Sequence, residues 1–294
     1  MKNLFLVLKF IFTHPLNVNN RAGALLRFIK WQILSRLTSN LVVFPFTDRS
    51  LILVKRGLTG ATGNIYCGLH EFNDMGFLLH FLRQEDCFVD VGANIGSYSI
   101  LAGVHVGANT ISLEPLPSTF KLLKQNIAIN QIDDNVRLYN IALGDLTGEI
   151  KFTTNLDTMN HIVVDESEEH IIVPIDTLDN LLMDNAIPIL VKVDVEGYEK
   201  DVLNGSSSLL SNPILKAIIL ELNGSSEKYG YLETEIHEKL LSLDFNPYMY
   251  NPFERKLYRA ESFGTHNTIY LRDLLFVEQR LKSADKVVIN GNVF

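Results

Sequence analysis

At 294 residues, with 47 % hydrophobic and 20 % charged residues, the chain suits one large globular domain, or one with an appendage, and is not a disordered chain. The net charge of −8 is unevenly spread: residues 1–60 carry nine Lys or Arg against the single acid Asp48, a net +8 that leaves −16 on the other 234 residues. So acidic a body argues against general nucleic-acid binding, which needs a basic working face, while the basic segment calls for an anionic partner or surface.

The early apolar run, Leu4 to Leu8 and Phe10 to Phe12, is broken by Lys9 and falls far short of the roughly 20 residues that cross a bilayer. It ends in Thr13-His14-Pro15-Leu16 without a small-x-small cleavage site, so it does not read as a secretory signal, and the expected location is cytoplasmic. Residues 21–37 read as a basic amphipathic helix. Leu25, Phe28, Ile29, Ile33 and Leu37 recur at helical spacing, Leu26 and Trp31 widen the apolar area, and Arg21, Arg27, Lys30 and Arg36 supply charge. Two readings stay open for it: a helix packed on the main domain or on a second copy in a homodimer, or a helix of the 1–40 segment resting on anionic lipid at the inner face of a membrane. The two cysteines, Cys67 and Cys87, have no metal-ligand spacing and read as reduced core thiols.

From residue 87 short apolar strands alternate with helices. Cys87–Val91, Thr110–Glu114, Val136–Leu143, Ile187–Val195 and Leu215–Leu222 read as strands, with helices from about Ile95 and over Ser118–Asn130. Near-continuous apolar strands separated by helices indicate an α/β fold: a mostly parallel sheet covered on both faces, with ligands bound at the carboxyl ends of the strands. Gly148–Thr153, His161–Val164 and Ile171–Val173 read as an inserted β-hairpin or meander. Pro247–Tyr250, Lys256–Tyr258 and Thr268–Leu271 add late strands, including an antiparallel one, before a helix over Asp273–Lys282. Asn126 and Asn130 read as solvent-facing or capping residues.

The chemistry begins at Asp90-Val91-Gly92-Ala93-Asn94-Ile95-Gly96, directly after a strand. Gly92 and Ala93 let backbone approach a ligand, Asn94 can bond the ligand or the turn, and Gly96 permits tight helix-on-strand packing. The next strand ends in Glu114-Pro115, and a carboxylate there can accept from both ribose hydroxyls. The turn is Gly-x-x-x-Gly rather than the Gly-x-Gly-x-x-Gly of dinucleotide folds, which disfavours an NAD-dependent oxidoreductase. Asp90 would repel phosphates but attract an amino-acid ammonium. S-adenosylmethionine offers a ribose and that ammonium, without phosphates. A third signal is Lys192-Val193-Asp194-Val195-Glu196-Gly197-Tyr198-Glu199, where two acids two apart on a strand end share a face and Gly197 lets the chain turn. A helix-capping pair is the other reading of those acids. Lys192 reads equally as a snorkelling side chain or a substrate contact.

VDVGANIGSYSI, SLEPLPSTFKLLKQNIAIN, ALGDLTGEI and LVKVDVEGYEKDVLNG occur in this order, and together they resemble the FkbM family of S-adenosylmethionine-dependent methyltransferases over roughly residues 65 to 272. The resemblance implies a Rossmann-like class I methyltransferase domain at 61–294, behind a helical extension at 1–60. It implies cofactor contacts at Asp90, Gly92, Ala93, Asn94, Glu114 and the Ile141-Ala142 strand end, a reaction centre lined by Asp194, Glu196 and Gly197, and O-methylation of a sugar or related hydroxyl. Gly96, Pro115 and Asp194 complete the expected cofactor set.

Methyl transfer to a hydroxyl needs a base, and the candidates are Asp194, Glu196, His161 and His266. The acidic pair ranks first because it falls at a strand tip. No ligand spacing calls for a metal. The alternatives are a non-catalytic cofactor- or glycan-binding relative, and a methyltransferase acting on a lipid or peptide. The choice of acceptor is expected to reside in residues 148–175, 223–230 and 251–266.

Overall fold

The computed structural model describes residues 2–156 and 159–294. Two helices open the chain, α1 (Lys2–Thr13) and α2 (Arg21–Leu37), followed by a hairpin of β1 (Val42–Pro45) and β2 (Leu51–Val54). Helices α3 (Thr59–Cys67) and α4 (Phe72–Phe81) lead into β3 (Cys87–Val91). Next come α5 (Ser97–Ile100), which runs on as a π-helical turn over Leu101–Val106, β4 (Asn109–Leu113), α6 (Pro117–Ile129) and β5 (Val136–Tyr139). The insertion holds β6 (Ala142–Leu143), β7 (Gly148–Thr153) and β8 (His170–Asp176), and α7 (Leu178–Leu181) closes it. The chain then forms β9 (Leu190–Val193), α8 (Glu199–Asn204), α9 (Ser207–Ser211), β10 (Ala217–Glu221) and α10 (Glu233–Ser242). It finishes with β11 (Asn246–Asn251), β12 (Lys256–Arg259), β13 (Asn267–Leu271), α11 (Leu274–Ser283) and the small ribbon β14 (Val288–Ile289) and β15 (Asn292–Val293).

Eight strands form the main sheet in the order β12-β11-β13-β10-β9-β3-β4-β5. The five from β10 to β5 run parallel, while β13 lies antiparallel to both β10 and β11. This is the expected sheet, mostly parallel with an antiparallel late strand. The chain order reverses at β3, with β4 and β5 built outward on one side and β9 and β10 on the other. Such a reversal opens a crevice at the carboxyl ends of the strands.

Alternation along the strands decides what each face buries. Phe88, Leu190, Ala217 and Ile219 face one core with α4, α6 and α11, while Val89, Val91, Val191 and Val193 face a second core with α8 to α10. On the first face the next positions toward the carboxyl ends are Asp90, Lys192 and Glu221, with Asp90 directly opposite Lys192 across the β3–β9 pair. The apolar strands thus hand over to charge where the crevice begins.

Several expectations change. The strand expected over Val136–Leu143 breaks after Tyr139, because the Asn140 amide donates to the carbonyls of Glu114 and Pro115 at 2.8 Å each and turns the chain aside. Ala142 and Leu143 then join a separate three-stranded sheet, β6-β8-β7. His161–Val164 forms no strand, only one bridge between Phe152 and Ile162. Asp157 and Thr158, within the expected specificity segment, lie outside the described residues. Asn126 is fully buried rather than solvent-facing: it donates to Ile95 O at 2.8 Å and accepts from Leu53 N at 2.6 Å. Asn130 makes a matching pair of 2.8 Å bonds to the Leu51 backbone. Both therefore fasten the β1–β2 hairpin to α6.

Residues 1–60 share the first core through Ile11, Ala24, Trp31 and Ile52, and Arg27 donates to the Tyr66 carbonyl at 3.0 Å. Cys67 and Cys87 are buried free thiols, both pushed up by burial, to about 12 and about 11. Among the described residues no helix is long and apolar enough to cross a membrane.

Candidate active site

A cavity of about 490 Å³ opens at the carboxyl ends of β3, β4, β9 and β10, within the size range of small-molecule sites. Its first wall is the turn after β3. The Gly92 and Ala93 N–H groups donate to Leu113 O, and the Asn94 N–H donates to Glu114 Oε2 at 3.1 Å. Gly92 has φ +76°, and a Cβ there would meet the Asp194 carbonyl oxygen at 1.9 Å. Its lack of a side chain therefore serves contact with the acidic loop, as well as any ligand. Gly96 corrects the expectation of helix-on-strand packing: it has φ +92°, and a Cβ would meet Leu123 Cδ1 on α6 at 2.5 Å, so it sets a helix contact and does not line the cavity.

Glu114 forms the second wall. Burial pushes its carboxyl up to about 7, although the Leu116 and Asn94 N–H groups both favour the ionised form. Pro115, Ile141 and Ala142 line the cavity beside it. Asp90 lies in the floor, 1 % exposed, and accepts from Ser99 Oγ at 2.6 Å. Burial raises it despite Lys192.

The third wall is the acidic loop. Lys192 neither snorkels nor reaches solvent: it is 3 % exposed, donates to Asp194 Oδ2 at 2.6 Å and sits 4.9 Å from the Tyr98 ring centroid. Burial alone would lower its pKa, but Asp194, Glu71 and Asp90 outweigh burial and keep the ammonium charged. Tyr98 in turn donates to Glu71, which also accepts from Asn267 at 2.8 Å. Asp194 is held below its usual range because Lys192 overcomes the cost of burial. Glu196 does not continue the strand; it adopts φ +54°, yet its carboxylate still converges with that of Asp194. Burial and the Asp194 charge push Glu196 up to about 7. Glu199, the first residue of α8, holds the loop, accepting from Val195 and Gly197 N–H at 3.1 Å each.

Glu221 is a member of this group that the motifs did not single out. It ends β10, burial and Asp194 push it up to about 10, and its Oε2 is buried without a hydrogen-bond partner. A proton on Glu221 turns two opposed carboxylates into a donor and an acceptor. Asp194, Glu196 and Glu221 each place an oxygen within 4.8 Å of the others, close enough together that they could ligate a divalent cation. Register carried the missed signal: a charged residue on one face of each otherwise apolar strand. The two candidate histidines lie elsewhere, although His70 lines the cavity. His161 contacts Met159 O at 2.9 Å and Glu168 at 3.4 Å within the insertion, and exposed His266 offers its carbonyl to Leu222 N; neither lines the cavity.

Residues 90–247 match the methyltransferase FkbM domain. The chain belongs to the FkbM methyltransferase family. It is 28 % identical over 148 residues to the hexuronic acid methyltransferase AglP of Haloferax volcanii, covering 50 % of this chain and 59 % of that protein. It is also 36 % identical over 67 residues to a Pyrococcus horikoshii tRNA(Phe) (4-demethylwyosine(37)-C(7)) aminocarboxypropyltransferase, covering 23 % of this chain and 24 % of that one. The chain thus spans less than two thirds of the length of each of these curated relatives. Among solved structures, FkbM methyltransferase from Methylobacillus flagellatus KT superposes with a TM-score of 0.45 at 17 % identity, covering 72 % of this chain and 52 % of that one. S-adenosylmethionine is the cofactor that goes with family membership, and the cavity fits it: the Glu114 carboxylate can accept from ribose hydroxyls, and the cation that lines the cavity, Lys192, is engaged by Asp194.

Proposed function

We propose that this chain transfers a methyl group from S-adenosylmethionine to a hydroxyl of a sugar or glycan, with Glu196 as the base. The observation that carries the reading is the convergence of three carboxyls, within 4.8 Å of one another, in different electrostatic surroundings. Asp194 is held ionised by Lys192, Glu196 sits at about 7, and Glu221 at about 10 keeps its proton. Environments that push neighbouring acids apart in this way assign them different roles.

A hydroxyl attacks well only as it loses its proton, and a base works best with a pKa near the working pH. Glu196 meets that condition and lines the cavity. Asp194 is too weak a base; fixed by Lys192, it accepts from and orients the acceptor. Protonated Glu221 donates, to Asp194 or to an acceptor oxygen. When bound, S-adenosylmethionine supplies an electrophilic methyl on a sulfonium, open to in-line attack. Glu114 holds the ribose side, and the turn after β3 excludes water there. The likeness to a hexuronic acid methyltransferase supports a sugar as the acceptor class.

The test is calorimetric titration with S-adenosylmethionine, S-adenosylhomocysteine and NAD, followed by transfer of labelled methyl to a panel of uronic acids, neutral sugars, lipids and peptides. Micromolar binding of the two sulfur ligands without NAD, and label appearing in a sugar as a methyl ether, is the expected result. Binding without transfer to any acceptor would favour a cofactor-binding relative, and transfer only to lipid or peptide would overturn the sugar assignment.

A further inference from the structure

Helix α2 carries two apolar faces, and only one of them is covered. Ala24, Trp31 and the half-buried Phe28 pack inward, with Phe28 5.2 Å from the Tyr66 ring on α3 and Trp31 6.1 Å from Phe44. Leu25, Leu26, Ile29, Ile33 and Leu37 point outward at the same helical spacing, and Leu26, Ile33 and Leu37 are 67 %, 56 % and 77 % exposed. Leu4, Phe5 and Leu6 of the adjoining α1 are also exposed. Soluble surfaces rarely leave so continuous an apolar stripe uncovered.

Charge selects the occupant. Arg21 and Lys30 flank the stripe and are exposed, Arg36 lies within it, and no acidic residue occurs before Asp48. In a two-fold dimer through this face the stripe would meet itself, setting its cations against like charges. Seated on the acidic flank of another copy, it would propagate instead of closing. A bilayer with anionic headgroups satisfies both features at once, taking the aliphatic side chains into the acyl boundary and pairing the flanking cations.

We propose that the outward face of α2, with exposed α1, docks the protein on an anionic lipid surface. The inward face of α2 packs on α3, whose Asn64 lines the active-site cavity, so one helix layer separates the lipid face from that wall.

The experiment is flotation of the full chain with phosphatidylcholine vesicles, with or without about 30 % phosphatidylglycerol. It uses wild type, a Leu26→Asp/Ile33→Asp variant and an Arg21→Gln/Lys30→Gln variant. Thermal melts and S-adenosylmethionine binding confirm that each variant folds, and sedimentation velocity reports its oligomeric state. The expected result is co-flotation of wild type with the anionic vesicles, falling at least tenfold in the aspartate variant and several-fold in the glutamine variant or in 0.5 M salt. No flotation by folded wild type overturns the proposal, as does binding insensitive to the aspartates. A wild-type dimer that the aspartates dissociate, without flotation, assigns the face to a subunit contact instead.

Discussion

Buried Glu114 and the half-buried acids Asp194, Glu196 and Glu221 line one cavity, and they are stabilised differently. Glu114 is surrounded by fixed backbone: two N–H groups aim at its carboxylate from a turn and a helix start. Asp194, Glu196 and Glu221 have mainly one another and Lys192. The first arrangement makes a rigid acceptor, suited to holding hydroxyls that do not react. The second makes a set of coupled titrating groups, suited to moving a proton. Both are strand-tip acids, so position alone does not separate binding from chemistry; the neighbours do.

The sharpest way to break this contrast is Glu196→Gln. It should lower kcat by about 10²–10⁴-fold while leaving S-adenosylmethionine affinity within about twofold. The wild-type kcat/KM should fall as pH drops below about 7, where Glu196 takes up its proton. Full turnover in the variant, or an equal loss of cofactor affinity, would remove the distinction between the two sides.

Glu114→Gln should show the reverse pattern. Cofactor Kd should weaken about 10–100-fold by titration, with kcat at saturation changed less than about threefold. A large fall in kcat at saturating cofactor would place Glu114 among the reacting groups.

The smallest expected effect is on stability. Glu114 has a folded pKa of about 7 against an ordinary 4.5, so its folded form binds the proton more tightly than its unfolded form. That contribution is fully present below about 4.5 and is lost as pH rises through about 7. Denaturant unfolding of cofactor-free protein should therefore shift in favour of Glu114→Gln, relative to wild type, by up to about 3 kcal/mol between pH 5 and pH 8. A pH-independent difference would mean that Glu114 is ionised throughout.

The parallel sheet was legible because its strands are apolar on both faces and two of its helices, α5 and α8, begin just after glycine turns. That Glu114 would reach the cavity was legible from the Glu114-Pro115 strand end. Glu221 was hidden because its strand reads as uninterrupted core until register aligns Ile219, one residue pair earlier, with Lys192. The break after Tyr139 depended on a long-range amide contact from Asn140, which no local pattern encodes. The apolar width of α2 was visible, but not that the body covers only half of it; that division follows from where Trp31 and Phe28 find partners.

The close approach of Gly92 to the Asp194 carbonyl has a consequence for how ligands communicate. The two loops touch backbone to backbone, with no soft side chain between them to absorb a displacement. A ligand that shifts the turn after β3 must also shift the peptide carrying Asp194, and the reverse holds with equal free energy. Ligands bound against the two loops would be coupled through this backbone contact and the neighbouring hydrogen bond from Asp194 N–H to Val91 O, and Gly92 is the residue that keeps the contact close.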